Sequence, residues 1–189
     1  MKKIAFTLYG TICYLLFNVV FLYLIAFQLN ILVPKTIDSG IPTSPTVAVL
    51  INVGLITLFG AAHSIMARDS FKKWWTAVFV SPIIERSTYV LQASLLLALI
   101  MWQWQPLPAT IWQINNQPAQ IILYALFAVG VGTVLLSTFL INHFELFGLQ
   151  QVVANQRNKA MPQDSFKTPL LYNYVRHPMQ LGIVIMVFA

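Results

Sequence analysis

The chain has 189 residues, of which 58% are hydrophobic and only 8% are charged, and its net charge is +6. A soluble domain has about 25% charged residues, so this composition excludes a disordered chain, a coiled coil and an ordinary cytosolic enzyme. The single cysteine excludes a disulfide framework and a cysteine-rich zinc site.

The basic residues do not indicate a nucleic-acid-binding protein. They are few and are separated by long apolar runs, so they cannot form a continuous phosphate-binding face. The remaining class is an integral helical membrane protein, with the lipid bilayer as its partner and one domain over residues 1–189. The sequence carries no signal for an oligomeric state.

Five apolar runs follow one another along the chain. A membrane-spanning helix needs about 20 apolar residues, because the hydrocarbon core is about 30 Å thick. Four runs have that length, and they lie between Lys3 and Lys35 and at about 46–67, 87–104 and 120–141. The predicted fold is therefore all-α, a polytopic membrane helical bundle with four full transmembrane helices and the start of a fifth.

The fifth run begins at Pro178 and is still apolar at Ala189, where the chain stops. Such a stretch makes only about 18 Å of helix and cannot cross a bilayer. A re-entrant or interfacial C-terminus is one interpretation. We expect instead that the chain is a piece of a longer protein, truncated at its C-terminus.

The positions of lysine and arginine predict the orientation, because such residues are enriched in cytoplasmic loops. Lys35 is the one basic residue that falls on the opposite side of the predicted bundle. The others share one side, and they are Lys2, Lys3, Arg68, Lys72, Lys73, Arg86, Arg157, Lys159, Lys167 and Arg176. We therefore expect a cytoplasmic N-terminus in a bacterial inner membrane.

The same topology places all three histidines, His63, His143 and His177, in one layer at the cytoplasmic face. Charged and titratable side chains share this layer, and they are Arg68, Glu85, Arg86, Glu145 and Arg176. Ionisable residues close to membrane spans are functional candidates, although ordinary interfacial polarity also explains any one of them. Nothing in the histidine spacing supports a metal site, so none is predicted.

Arg176, His177 and Pro178 form the most specific local pattern. Proline favours the first helical turn and disfavours a helical conformation in the residue before it, so a helix should begin at Pro178. Free backbone N–H groups beside an arginine suit a carboxylate or a phosphate, whereas a simple cap with an extended arginine is the alternative. Gly182, one turn later, would permit close approach of a ligand or of a neighbouring helix.

These residues also carry a family resemblance. RHPMQLG, at 176–182, resembles the motif of the isoprenylcysteine carboxyl methyltransferase-like membrane methyltransferases. Four further blocks resemble the methanethiol S-methyltransferase branch of that superfamily, and they lie at 63–75, 85–95, 101–108 and 137–152. The chain departs from the family pattern at Gln180, where an aromatic residue is frequent, and it lacks the C-terminal segment with which the family continues.

The resemblance implies S-adenosylmethionine as cofactor and methylation of a small thiol, methanethiol to dimethyl sulfide, at the cytoplasmic membrane face. The implied cofactor-binding residues are Arg176, His177, Pro178, Gly182, Tyr172 and Tyr174. Either tyrosine could face the sulfonium through a cation–π contact. The thiol must lose its proton, and the implied catalytic residues are His177 or His143 as acceptor, with Glu145 orienting a histidine.

Two other functions remain open within the superfamily. One keeps the cofactor but changes the acceptor to a prenylcysteine carboxylate or a lipid amine, which would need a wide lateral groove. The other is a non-catalytic membrane protein linked to nitrogen-oxide respiration.

Overall fold

A computed structural model describes residues 1–107, 109–110, 113–160 and 170–189, and every regular element in these ranges is helical. Lys167, one of the basic residues assigned to the cytoplasmic side, lies outside the described residues. The helices are α1 (Lys2–Gln28), α2 (Pro45–Met66), α3 (Asp69–Val78), α4 (Glu85–Gln103), α5 (Gln117–Leu140), α6 (His143–Leu146), α7 (Leu149–Gln156) and α8 (Pro178–Phe188), with a 3₁₀ turn at Leu170–Asn173.

Local sequence explains where two of the long helices begin. The Ser44 hydroxyl accepts a hydrogen bond from the backbone N–H of Val47, and the Asn116 side-chain oxygen accepts one from that of Ala119. Each of these helices also has a proline in its first turn, where the missing N–H costs nothing. Capping residue and proline together define each helix start.

Among the described residues, three helices are long and apolar enough to cross a membrane, and they are α1, α2 and α5. The prediction of an all-helical protein with membrane-spanning helices is confirmed to that extent. The predicted third span is present as the 19-residue α4 but does not belong to these three. Its N-terminal half carries Glu85, Arg86 and Gln92, which lower its apolar character.

The chain divides into two compact units. The first comprises Met1–Pro108 and Phe147–Pro162, and the second comprises Ala109–Leu146 and Gln163–Ala189. The first unit thus contains α1 to α4 and α7, and the second contains α5, α6 and α8.

In the first unit α4 runs parallel to α1. The Tyr9 and Thr88 hydroxyls are 3.0 Å apart near the start of both helices, and the Phe27 and Trp104 rings meet near their ends with centroids 6.5 Å apart. The side chains that pack between the two ends include a buried group of Val20, Phe27 and Met101. The long parallel contact means that α4 extends through the same thickness of the unit as α1.

Helix α2 runs antiparallel to α4. The Asn52 side-chain amide donates to the backbone carbonyl of Gln105 at 2.8 Å, and its oxygen accepts from the Gln105 N–H at 2.9 Å. At the other end of the pair the Tyr89 hydroxyl donates to the His63 carbonyl at 3.2 Å. The start of α4 and the end of α2 therefore lie at one end of the unit.

Helix α7 packs against the N-terminal half of α1 through a close junction. A Cβ atom on Gly10 would lie 2.9 Å from Cγ2 of Val152, and one on Gly148 would lie 2.5 Å from Oγ of Ser87. Gly148 also has φ of +83°, a conformation that other residues adopt only with strain. Two glycines thus allow α1, α4 and the start of α7 to meet.

Candidate functional site

Backbone contact between α5 and α8 forms the frame of the site. A Cβ atom on Gly130 would lie 2.6 Å from the backbone nitrogen of Met186, and one on Gly182 would lie 2.8 Å from the carbonyl oxygen of Gly130 and 2.9 Å from the backbone nitrogen of Val134. Small residues permit such close packing of apolar helices. The sequence left two roles open for Gly182, close approach of a ligand or of a neighbouring helix. These contacts show the approach of a neighbouring helix, α5.

The register of this contact brings two predicted site segments to the same level. Gly130 faces Met186 and Val134 faces Gly182, so the helices are antiparallel and Pro178 falls level with Thr138. Pro178 is fully buried and is the first residue of α8, as its sequence predicted. The start of α8 and the last turn of α5 therefore lie together at one end of the second unit.

His177 precedes α8 with φ of −134° and ψ of 67°, which is not helical, and no described side chain caps the helix. Arg176 and His177 are both exposed. The first-turn N–H groups of α8 therefore have no side-chain partner among the described residues, and Arg176 lies two residues before the first residue of the helix. The start of α8 at Pro178 is as predicted, and the binding roles of Arg176 and His177 stay predictions.

The two candidate tyrosines differ in exposure. Tyr174 is 89% exposed, whereas Tyr172, in the 3₁₀ turn, is half-buried. Burial raises the pKa of the Tyr172 hydroxyl above its ordinary value, so this side chain stays neutral at physiological pH. A neutral phenol retains the electron-rich ring face that a cation–π contact requires.

His143 is the buried member of the site, with 6% of its surface exposed. Its Nδ1 atom lies 2.8 Å from Oγ1 of Thr138, and its ring is stacked on that of Phe139 with centroids 4.2 Å apart and planes 5° apart. Burial lowers the pKa of the imidazole, because desolvation disfavours the charged form. The ring is therefore neutral near pH 7, as a proton acceptor must be.

A left-handed residue turns the chain between α5 and His143. Asn142 has φ of +89°, and its side-chain amide donates to the Glu145 carboxylate at 2.8 Å. The Asn142 side-chain oxygen accepts from the Glu145 N–H at 3.4 Å. Glu145 thus stabilises the turn that places His143, and this is a way of orienting the histidine through the backbone.

Thr138 is a residue that sequence reasoning missed. It is only 4% exposed, and its hydroxyl also donates to the Leu135 carbonyl at 2.7 Å. A threonine five positions before a histidine at a helix end is a weak signal, because the left-handed turn at Asn142 decides whether the two side chains meet. Its burial is what identifies it.

His63 belongs to the first unit and has a different environment. Its ring packs between those of Phe59 and Tyr89, with centroid distances of 5.3 and 4.9 Å. Its Nδ1 atom is buried and has no hydrogen-bond partner among the described residues. Contacts within that unit place His63 at the same end as the start of α4, while a common layer for all three histidines stays a prediction.

Within the described ranges, no group of three or more histidine, cysteine, aspartate or glutamate side chains could hold a metal ion. Hydrogen-bonding and aromatic groups make up the candidate site in the second unit.

Comparison with known proteins finds relatives that match the whole chain. The chain is 52% identical over 188 residues to methanethiol S-methyltransferase 1 of Bradyrhizobium diazoefficiens, and the match covers 100% of this chain and 65% of that protein. It is 48% identical over 189 residues to the methanethiol S-methyltransferase of Mycobacterium tuberculosis, covering 100% of this chain and 77% of that protein.

A third relative is the methanethiol S-methyltransferase of Crocosphaera subtropica, which is 50% identical over 175 residues, or 93% of this chain and 68% of that protein. The chain thus spans roughly two thirds to three quarters of the length of these relatives. No family model matches the chain, and no solved structure matches it.

Proposed function

Because the chain belongs to the methanethiol S-methyltransferase family, we propose that it transfers a methyl group to methanethiol and forms dimethyl sulfide. The observation that carries the proposal is identity of 52% and 48% to two such enzymes over 100% of the chain. The resemblance predicted from the blocks beginning at His63 is thereby confirmed at the level of the family. The methyl donor, the membrane orientation and the roles of single residues are parts of the proposal.

The proposed membrane arrangement has four spans and a cytoplasmic N-terminus in a bacterial inner membrane. The parallel contact of α4 with α1 and its antiparallel contact with α2 support a crossing by α4, although its N-terminal half is polar. In the first unit the Lys3 ammonium donates to Asn158, which lies between Arg157 and Lys159. This clustering of basic residues at one end supports a cytoplasmic location for that end.

S-adenosylmethionine is the proposed donor, and when bound it supplies a methyl group on a positively charged sulfur. The residues present fit its carboxylate, because the uncapped start of α8 offers backbone N–H groups beside the exposed Arg176. His177 and Pro178 form the start of α8 and would position its N–H groups, and Gly182 supports this position because it allows α8 to pack closely against α5. Tyr172 or Tyr174 would face the sulfonium.

Two histidines are candidates for removing the thiol proton. Methyl transfer to sulfur is an in-line displacement by the thiolate, so it depends on positioning and on an acceptor for that proton. The pKa of His143 is lowered by burial, which keeps its imidazole neutral and able to accept. His177 is exposed and directly precedes α8. The Glu145 backbone N–H donates a hydrogen bond to the Asn142 side chain, and this contact stabilises the turn before His143.

The decisive experiment measures product. The protein encoded by the complete gene is purified in detergent and supplied with S-adenosylmethionine and methanethiol, and dimethyl sulfide is measured in the headspace. We expect product that depends on both compounds. Methylation of a prenylcysteine analogue or a lipid amine with no dimethyl sulfide would instead select another acceptor. No binding of S-adenosylhomocysteine by calorimetry would support a non-catalytic protein.

The site assignment has its own test in His177→Ala. We expect this change to abolish methyl transfer while membrane insertion is retained, because it removes a group beside the proposed donor site. Asn173→Ala, at an exposed position of the preceding 3₁₀ turn, is the matched control and should keep its activity. Wild-type turnover in His177→Ala would reject the assignment.

A further inference from the structure

Helix α3 has an apolar face that remains largely exposed. Phe71, Trp74, Trp75 and Val78 recur at the i, i+3, i+4 and i+7 positions, which lie on one side of a helix. Trp74 is 52% exposed and Val78 is 62% exposed, and no residue of α3 is buried. Exposed apolar surface of this kind indicates contact with a membrane or with another protein surface.

The aromatic side chains of α3 pack on one another and form a continuous patch. Trp74 contacts Phe71 and Phe79 with ring centroids 5.5 and 5.4 Å apart, and Trp75 contacts Phe79 at 5.1 Å. Phe79 follows the last residue of the helix and is 61% exposed. Indole rings suit the boundary between hydrocarbon and water, because they combine a broad apolar surface with a polar N–H group.

The short link from α2 keeps α3 close to the membrane boundary. Helix α2 is long and apolar enough to cross a membrane and ends at Met66, and α3 begins at Asp69. Three residue steps reach at most about 11 Å, whereas the headgroup layer is about 5–8 Å thick on each side of the hydrocarbon core. Arg68 between them has ψ of 138°, which is extended, so α3 does not continue α2. The start of α3 therefore lies in or next to the headgroup layer.

Basic side chains border the aromatic patch. Lys72 is half-buried, whereas Lys73 and Arg68 are exposed. Asp69 is the one acidic residue in segment 67–84, so this segment has a net positive charge, and the start of α4 at the same end adds one charge of each sign. Positive charge beside a membrane surface attracts the phosphate groups of anionic lipids.

We propose that α3 lies in the headgroup layer and binds anionic phospholipids. Its aromatic patch contacts the upper part of the acyl chains, and the ammonium groups of Lys72 and Lys73 contact lipid phosphates. A second protein surface could also cover an aromatic patch, but the basic border and the short link to α2 favour lipid. Lipid contact at α3 is independent of methyl transfer.

Lipid-specific quenching of tryptophan fluorescence tests this assignment. The protein encoded by the complete gene is reconstituted into vesicles of phosphatidylcholine and phosphatidylglycerol, in which one lipid at a time carries brominated acyl chains that quench nearby tryptophans. The difference between the wild type and Trp74→Phe isolates the emission of Trp74. We expect both brominated lipids to quench this emission, and phosphatidylglycerol to do so with at least about fivefold higher apparent affinity.

Two results with the wild-type protein would overturn the proposal. Absence of quenching by either lipid would mean that protein rather than lipid covers the aromatic patch. Equal apparent affinities for the two lipids would mean that α3 does not select anionic headgroups. If Trp74→Phe does not fold, a fluorescent label on Val78→Cys reports from the same face, and the buried Cys13 does not compete for the label.

A charge variant locates the anionic preference. In Lys72→Gln with Lys73→Gln we expect the preference for phosphatidylglycerol to fall below about twofold, while quenching by phosphatidylcholine persists because the aromatic patch remains. Arg157→Gln with Lys159→Gln removes the same charge at exposed positions of the first unit and should keep the preference. Equal losses in the two double variants would indicate attraction by net charge alone and would overturn binding at α3.

Discussion

His143 and His63 occupy similar places in the sequence and different places chemically. Each lies four residues after a phenylalanine on which its ring stacks, Phe139 for His143 and Phe59 for His63. The residue five positions before is Thr138 in one case and Leu58 in the other. Nδ1 of His143 accordingly has a hydroxyl partner, whereas Nδ1 of His63 is buried with none among the described residues.

An aromatic neighbour and a position near a helix end therefore do not define a histidine's role. Burial keeps His143 neutral by lowering its pKa, and its Nδ1 atom lies within hydrogen-bond distance of the Thr138 hydroxyl. His63 remains within α2, where its ring packs between two aromatic rings. The described contacts of the His63 ring are aromatic, whereas His143 has a polar contact to Thr138 as well.

The largest expected difference is in activity. In His143→Asn the side-chain amide can replace Nδ1 as the hydrogen-bond partner of Thr138, so we expect the fold to be retained while the proposed proton acceptor is lost. Loss of a general base typically lowers the rate by about 10²- to 10⁴-fold, and we expect turnover to dimethyl sulfide to fall within that range. His63→Asn is the matched control and should change turnover by less than about threefold. Equal losses in the two variants would remove the distinction between the histidines.

The next effect is on stability and concerns α5, which precedes His143, and α2, which carries His63. In Gly130→Ala the new methyl group meets the backbone of α8, and we expect a loss of about 1–3 kcal/mol, as overpacking usually costs. Gly132 on the same helix and Gly60 on α2 have open space at the Cβ position. Alanine there should be neutral or stabilising by up to about 1 kcal/mol, through helix propensity.

Thermal unfolding in detergent, followed by tryptophan fluorescence and circular dichroism, measures these changes. An unchanged midpoint in Gly130→Ala would contradict the backbone contact between α5 and α8. If Gly132→Ala or Gly60→Ala were destabilised equally, the loss would reflect the substitution itself rather than this contact.

The smallest effect is the dependence of stability on pH. The folded protein lowers the pKa of His143 below its ordinary value of 6.5, so the unfolded state takes up the proton first as the pH falls. We expect the contribution of His143 to stability to be complete above pH 6.5 and to decline below it. The decline should be smaller in His143→Asn than in the wild-type protein, as unfolding midpoints between pH 5 and 8 would measure. Identical curves would exclude His143 as its source.

Much of the fold could be predicted from the sequence. Apolar runs separated by polar and charged segments predicted α1, α2, α4, α5 and the start of α8 at Pro178, because run length and first-turn proline are local properties. Three of these helices, α1, α2 and α5, are long and apolar enough to span a membrane. Helix α4 is not among them, because the polar residues in its N-terminal half lower its mean hydropathy. Four blocks of residues were also sufficient to predict the family, and the relatives confirm that prediction.

The candidate site was predictable only in part. The sequence identified Arg176, His177 and His143 by residue type and by their distance from the predicted spans. It did not identify Thr138, because a threonine in an apolar helix is equally compatible with a lipid-facing position or with bonding to its own helix. Its partner depends on a turn outside the helix.

The amino-acid sequence by itself determined the helices, their first-turn signals and the family, since these depend on local order along the chain. Tertiary structure decided which glycines let α5 and α8 touch, and the left-handed Asn142 brought His143 back to Thr138. The first outcome depends on the register between α5 and α8, and the second depends on the φ angle of Asn142. Packing between parts of the chain that are distant in sequence selects both, so local sequence does not determine them.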